Sequence, residues 1–303
     1  MTPPIASRTH PTVLPWAAAA GTMLLWASSF VVIRGAADVF APGSMALLRM
    51  AAASCVLVVW GVVVRPVWPR TPRAWALIAC WGVAWFALYT ITLNAAGHHV
   101  DAATASMVVN LAPLLVALAA VSFLGEAMSR RLLVGILFAL LGIALITVAT
   151  SAAHITITGL GLSLLCALLY AGSVLTQKKW LSRLESHAVT VGGVLAGTLA
   201  CAPFAGELVR DLQDAPTAAT ASIVYLGVFP TAIAFTFWGF AIRHLPAGPL
   251  SSSSLIVPAI VVVMAWLILG ETPPPLAALG SVLCLTDAGQ AIFRPRRRAS
   301  AAA

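Results

Sequence analysis

Long apolar runs, punctuated by proline, glycine and small clusters of charge, succeed one another along almost the whole chain. A bilayer core of about 30 Å takes roughly 20 apolar residues in a helix. By that measure the pattern predicts ten membrane helices, over 13–35, 42–64, 73–97, 101–124, 130–149, 158–177, 187–206, 218–242, 247–269 and 275–293. The apolar stretch 13–33, followed by Arg34, exceeds a signal-peptide core and reads as the first membrane helix rather than a cleaved leader. No segment between runs is long enough for a separate soluble domain.

The pattern repeats. From Gly82 to Gly280 the chain matches itself at an offset of 145 residues, so that His99, Ser106, Pro113, Leu124-Gly125-Glu126 and Gly135 return as His244, Ser251, Pro258, Leu269-Gly270-Glu271 and Gly280. Matches among Ala, Val and Leu are cheap in such a chain, but a His, a Pro and a Glu recurring at one spacing mark a duplication. Toward the N-terminus, Leu25-Trp26-Ala27-Ser28-Ser29 answers Leu169-Tyr170-Ala171-Gly172-Ser173 at an offset of 144. The organisation expected is one membrane domain of two five-helix halves, 1–150 and 151–303.

Charge sets the orientation. Of 17 Lys and Arg, fourteen fall on one side of the predicted spans: Arg8, Arg65, Arg70, Arg73, Arg130, Arg131, Lys178, Lys179, Arg183, Arg243, Arg294, Arg296, Arg297 and Arg298. Arg34 and Arg210 fall on the other side and Arg49 lies within the second helix. Basic loops stay cytoplasmic, so both termini are expected there. Five helices is an odd number, so the second half enters the membrane from the opposite face. The fold class is therefore an all-α membrane protein of ten transmembrane helices in two inverted repeats, the arrangement of many secondary transporters.

Composition agrees, with 61% hydrophobic and 9% charged residues and a mean hydropathy of +0.99. In a soluble protein the net charge of +8 would suggest nucleic acid; here the basic residues orient the chain, and no nucleic-acid partner is expected. The cysteines Cys55, Cys80, Cys166, Cys201 and Cys284 lie singly in apolar runs and read as small packing residues. No H-E-x-x-H, G-x-S-x-G, C-x-x-C or G-x-x-x-x-G-K-[ST] is present, which argues against an intramembrane enzyme and against direct drive by ATP. No metal or cofactor is expected.

Ten helices, a duplicated five-helix unit, Trp-Ala-Ser-Ser-Phe (26–30) in the first helix, Arg49 near the start of the second, and Asn-Leu-x-Pro (110–113) running into Phe-Leu-Gly-Glu (123–126) resemble the EamA family of the drug/metabolite transporter superfamily. The resemblance covers nearly the whole chain. It implies a carrier of the bacterial inner membrane, commonly an exporter of amino acids or related metabolites. The partners so implied are a small-molecule solute and the lipid bilayer, with the protein a monomer or a weak homodimer.

Several residues are candidates for the work. Trp26, Tyr89, Tyr170 and Trp238 lie within helices, unlike Trp16, Trp68, Trp75 and Trp180, which suit an interfacial belt. The inner group either packs helices together or walls a cavity. Trp26 and Tyr170, equivalent by the repeat, should face each other between the halves. Pro113 and Pro258 are expected to open kinks in the fourth and ninth helices. Asn110, one turn before Pro113, places an amide deep in the membrane, where it is costly unless it faces protein or a wet cavity. Thr231 and the hydroxyls of Ser251 and Ser254 complete a set of weak polar contacts. The expected cavity lies between the first, third, fourth, sixth, eighth and ninth helices.

Two charges lie inside helices. Arg49 either snorkels or pairs with Asp38, or holds a carboxylate at the outer vestibule. Asp287, with Gln290 one turn on, is either protonated and bonded internally or carries a proton for coupling. Glu126 and Glu271 close the fourth and ninth helices and read as structural corners, each carboxylate bonding backbone N–H groups at the next helix start. A single coupling site cannot lie on both membrane faces. His98, His99 and Asp101 form a loop cluster that reads as solvated rather than metal-binding. The functions left in contention are a metabolite exporter working by alternating access, a proton-coupled multidrug carrier, and a receptor or channel without carrier activity.

Overall fold

The first helix, α1 (Val13–Ala36), runs without a charge from its start to Arg34 in its last turn. α2 (Pro42–Val64) opens on a proline, whose missing N–H costs nothing in a first turn. Its N-terminus is held from afar by Asp211, which accepts from the Ala41 N–H at 3.0 Å and from the Ser44 hydroxyl. α3 (Pro72–Gly97) starts at a Thr71 cap and carries a π-helical turn over Val83–Leu88. α4 (Ala102–Val109) begins at Asp101, whose carboxylate takes the Thr104 N–H at 2.8 Å and the Thr104 hydroxyl at 2.6 Å. Asp101 is thus committed to a helix cap.

After α4 come α5 (Ile157–Leu181), capped by Thr156, and α6 (Ser186–Asp214), which turns through a 3₁₀ segment at Ala202–Phe204. α7 consists of Thr217–Leu226, a π-helical turn Gly227–Ile233 and Ala234–His244. A 3₁₀ turn, Ser254–Ile256, leads into α8 (Val257–Leu269). The computed structural model describes residues 13–112, 115, 116, 119, 156–181, 183–245 and 254–270. The fifth and tenth predicted helices, together with Pro113, Glu126, Ser251, Glu271 and Asp287, lie outside them. Among the described residues there is no strand, and α1, α2, α3, α5, α6 and α7 each include a span long and apolar enough to cross a membrane.

Two expectations need correction. α6 continues past the predicted end at 206 to Asp214, because Glu207 to Asp214 form further helical turns rather than a loop. Arg210 therefore lies in the helix, its Nε donating to Gly206 O at 3.2 Å. Pro258 does not kink the middle of an α-helix. It sits in the first turn of α8, straight after the 3₁₀ turn, where a proline is pre-organised for helix. In the first half α4 stops at Val109 and turns at Asn110 and Leu111, before Pro113, as expected of a chain approaching a proline.

These breaks respect the duplication. The turn at 110–111 maps onto 255–256, within the 3₁₀ turn Ser254–Ile256, at an offset of 145, and the π-helical turn Val83–Leu88 maps onto Gly227–Ile233. Packing partners recur with the halves exchanged: α1 lies against α7 as α5 lies against α3, α2 against α7 as α6 against α3, α1 against α8 as α5 against α4, while α2 meets α6. Glycines permit the closest approaches. A Cβ on Gly82 would lie 2.3 Å from Gly193 O, and one on its counterpart Gly227 would lie 2.4 Å from Arg49 O.

The apolar residues that no helix covers face outward. Val59, Val62, Val63, Leu199, Trp266 and Leu267 are all exposed, an arrangement that water would penalise and lipid does not. At one loop the Trp68 and Trp75 rings stack at 5.9 Å, and the Lys179 ammonium lies 5.3 Å from the Trp180 ring centre, as suits an interfacial belt.

Candidate functional site

Where the two halves meet, rings from both close around one space. Trp26 on α1 stands edge-on to Tyr170 on α5, with centroids 6.3 Å apart, so the repeat-related pair do face each other. Trp26 also contacts Phe235 on α7 at 5.6 Å. Trp85 on α3 touches Tyr170 at 5.5 Å and Phe235 at 5.4 Å, and Tyr89 lies 6.4 Å from Tyr170. Edge-to-face and tilted contacts of this kind suit the ring quadrupole and fix the rings relative to one another.

These rings wall a cavity of about 50 Å³. Its polar lining comes from Ser29, Arg49, Tyr89, Asn110, Tyr170 and Ser254, and Val109, Val257, Phe30 and Leu93 complete the walls. The contributors are α1, α3, α5, α7, the end of α4 and the start of α8, which match the predicted set, and in addition α2 through Arg49. A water needs roughly 10–15 Å³ of such space, whereas small-molecule pockets run to roughly 300–1,000 Å³. The space holds a few waters and is closed around anything larger.

The helix breaks bring backbone and short polar groups to this space. Asn110 ends α4, and its Nδ2 donates to Ser106 O at 2.8 Å; among the described residues the amide oxygen has no donor. Ser254, in the equivalent turn of the second half, hydrogen-bonds the Tyr170 side chain. Ser28 on α1 shares a 2.8 Å bond with the Tyr225 hydroxyl on α7, beside the site rather than in it.

Arg49 departs from the first expectation made for it. It neither snorkels nor pairs with Asp38. It is 5% exposed, and its Nε donates to the Thr231 hydroxyl at 2.9 Å. The reason lies in the π-helical turn. Pro230 has no N–H to offer the Leu226 carbonyl four residues back, and the Thr231 hydroxyl, five residues on from Leu226, donates to that carbonyl at 2.9 Å. The same oxygen of Thr231 then accepts from Arg49. Arg49 Nη1 is buried and has no hydrogen-bond partner among the described residues.

Two predicted contacts sit behind the wall. Thr231 is fully buried and reaches the cavity only through Arg49. Trp238 is 2% exposed, packs on Trp26 at 5.2 Å and does not line the space. Trp85, Phe235, Ser29 and Phe30 were not anticipated. Trp81, Trp85 and Tyr89 recur every fourth residue, a helical-face spacing that pointed to Trp85; Phe235 carried no comparable signal. Among the described residues no group of three or more His, Cys, Asp or Glu could hold a metal.

Comparison with known proteins places this geometry in a family. The model of the EamA-like transporter family matches residues 15–148 and again 157–286. A probable terminal-alkyne amino-acid exporter of Streptantibioticus cattleyicolor is 36% identical over 264 residues, which cover 86% of this chain and 88% of that protein. A probable amino-acid metabolite efflux pump of Escherichia coli is 24% identical over 287 residues, covering 91% and 94%. A solved crystal structure shares the fold at a TM-score of 0.67 and 19% identity, covering 95% of this chain and 98% of that one. With both halves matched by one family model, the chain belongs to the EamA-like transporter family and is a multi-pass membrane transporter, not an enzyme.

Proposed function

We propose that the protein is a secondary carrier that exports an amino acid or closely related metabolite, binding it in the cavity between the halves and releasing it by alternating access. The observation that carries this reading is a polar and aromatic cavity lined from both halves and bordered by an interrupted helix in each. Rocking of one half against the other would open such a space to either side in turn. The space is too small for a whole solute, so the conformation described is a closed one. The names of the two relatives support an amino-acid-like solute.

In this reading the ten helices form two inverted repeats, 1–150 and 151–303, with both termini in the cytoplasm of a bacterial cell. Trp26, Tyr89 and Tyr170 take the apolar part of the solute, while Asn110, Ser251 and Ser254 supply weak polar contacts. Pro113 and Pro258 shape the breaks, and Asp287 is the acid through which a proton gradient would act. A multidrug carrier of lipophilic cations fits less well, since the cavity presents a guanidinium and, among the described residues, no carboxylate.

Counterflow tests the proposal. Proteoliposomes loaded with L-propargylglycine, a terminal-alkyne amino acid, should accumulate labelled L-propargylglycine from outside, and protein-free vesicles should not. A panel of proteinogenic amino acids extends the range. Failure of every amino acid to exchange would sink the carrier reading. The same assay with an imposed pH gradient, repeated for Asp287→Asn, reports on coupling.

A further inference from the structure

We propose that Arg49 is the carboxylate subsite of this cavity, so that the solute is recognised by its carboxylate more strongly than by its amino group. The inference rests on the reading of the cavity as a solute site and names the group that the site selects.

A guanidinium keeps its charge under all physiological conditions, and burying it is costly unless an anion or several acceptors surround it. Arg49 is 5% exposed and has one protein acceptor, Thr231 Oγ1, on Nε. Nη1 has none. Among the described residues no salt bridge satisfies the charge, and the side chain lies on the cavity wall beside Tyr89 and Asn110. With Nε fixed by Thr231, the two Nη groups form the remaining edge of the fork, and a carboxylate can take both N–H donors of that edge side by side. Trp26 and Phe30 close the other walls, against which a short apolar side chain would lie once the space opens.

The amino group meets a different surface. The described lining has no carboxylate, so a solute ammonium would rest on the faces of Trp26, Trp85 and Tyr170 and on the Asn110 amide oxygen. Those contacts are weaker than a guanidinium–carboxylate fork in a dry site. A molecule lacking the amino group should therefore bind nearly as well as the amino acid, and one lacking the carboxylate should not.

The test compares 4-pentynoate with but-3-yn-1-amine, matched in chain length, on the full chain in nanodiscs. Binding is read by quenching of intrinsic tryptophan fluorescence, to which Trp26 and Trp85 in the cavity contribute. Saturable binding of the acid at least about tenfold tighter than that of the amine is expected. Arg49→Gln should weaken the acid at least about tenfold and leave the amine unchanged, with Arg49→Lys intermediate. Equal binding of acid and amine, no saturable binding of the acid, or full acid affinity in Arg49→Gln overturns the proposal. The wild-type comparison requires no variant and stands even where Arg49→Gln does not fold. A protein that binds 4-pentynoate but exchanges no amino acid would retain the subsite and lose the carrier function. One that exchanges L-propargylglycine undisturbed by excess 4-pentynoate would do the reverse.

Discussion

The hydroxyls of Ser54 on α2 and Thr198 on α6 share a hydrogen bond of 2.8 Å, and the two residues lie 144 positions apart, the same offset that relates Trp26 to Tyr170. The bond between Ser54 and Thr198 and the ring contact between Trp26 and Tyr170 both join residues equivalent by the repeat where the halves meet, and Trp26 and Tyr170 border the cavity. Thr198 Oγ1 also lies 2.9 Å from Val194 O and 3.2 Å from Met50 O, two carbonyls that compete for its one proton, so its hydroxyl sits between both helices.

Thr198→Val keeps the shape of the side chain and removes these bonds. Hydrogen bonds between membrane helices average about 0.6 kcal/mol and reach about 1.7 kcal/mol. The variant should lose stability within that range, read as a small drop in unfolding midpoint in mixed micelles. A loss several times larger would mean that the pair sets the packing of α2 on α6 rather than merely decorating it.

Two glycines separate packing from propensity. Gly82→Ala would place a methyl group 2.3 Å from Gly193 O and 2.6 Å from Gly193 Cα. Both are backbone atoms that no rotamer change can move, so α3 and α6 must part, at a cost of about 1–3 kcal/mol or more. Gly172→Ala on α5 meets nothing within 4 Å and should gain about 0.8–1.0 kcal/mol of helix propensity. Thermal unfolding of the two variants in detergent should shift in opposite directions.

Replacement of Trp26 probes the ring cluster. Trp26→Ala removes contacts to Tyr170, Phe235 and Trp238 at once, and a deleted core tryptophan costs about 3–5 kcal/mol. One side of the ring already borders open space, so the loss should fall at or below the lower end and folded protein should persist in the membrane. Exchange of L-propargylglycine per folded molecule should fall at least about tenfold. Trp26→Phe should restore part of it, and Tyr170→Phe, which keeps the ring, should cost less than Tyr170→Ala. Full exchange in both alanine variants would mean that these rings only pack.

Much of this was legible in the sequence, and the exceptions have physical causes. Hydropathy located α1 to α3 to within a residue or two because proline and charge flank them. It misjudged the end of α6, where amphipathic turns continue a helix that leaves the apolar run. The repeat placed Trp26 against Tyr170 correctly, since symmetry survives in sequence as spacing. The partner of Arg49, Thr231, lies 182 residues away, and spacing along one helix cannot report a side-chain bond between helices so far apart in sequence. Trp238 and Thr231 were identified as cavity residues by type, but depth within a packed layer is decided by neighbouring side chains.

Pro230 offers the sharpest separation of stability from function. Pro230→Ala adds an N–H that would compete with the Thr231 hydroxyl for the Leu226 carbonyl. A proline inside a helix is about 3 kcal/mol less favourable than alanine, so the unfolding midpoint should rise. Thr231 would then be free to turn from Arg49, and the guanidinium would lose the bond that fixes its Nε. Thr231→Val removes that acceptor directly, leaves the backbone unchanged and should not raise the midpoint. Both variants should weaken 4-pentynoate binding in the nanodisc titration, and the double variant should be no weaker than Thr231→Val alone, because the two act on one bond. Additive losses in the double variant would show that Pro230 shapes the cavity by a route other than Thr231 and Arg49.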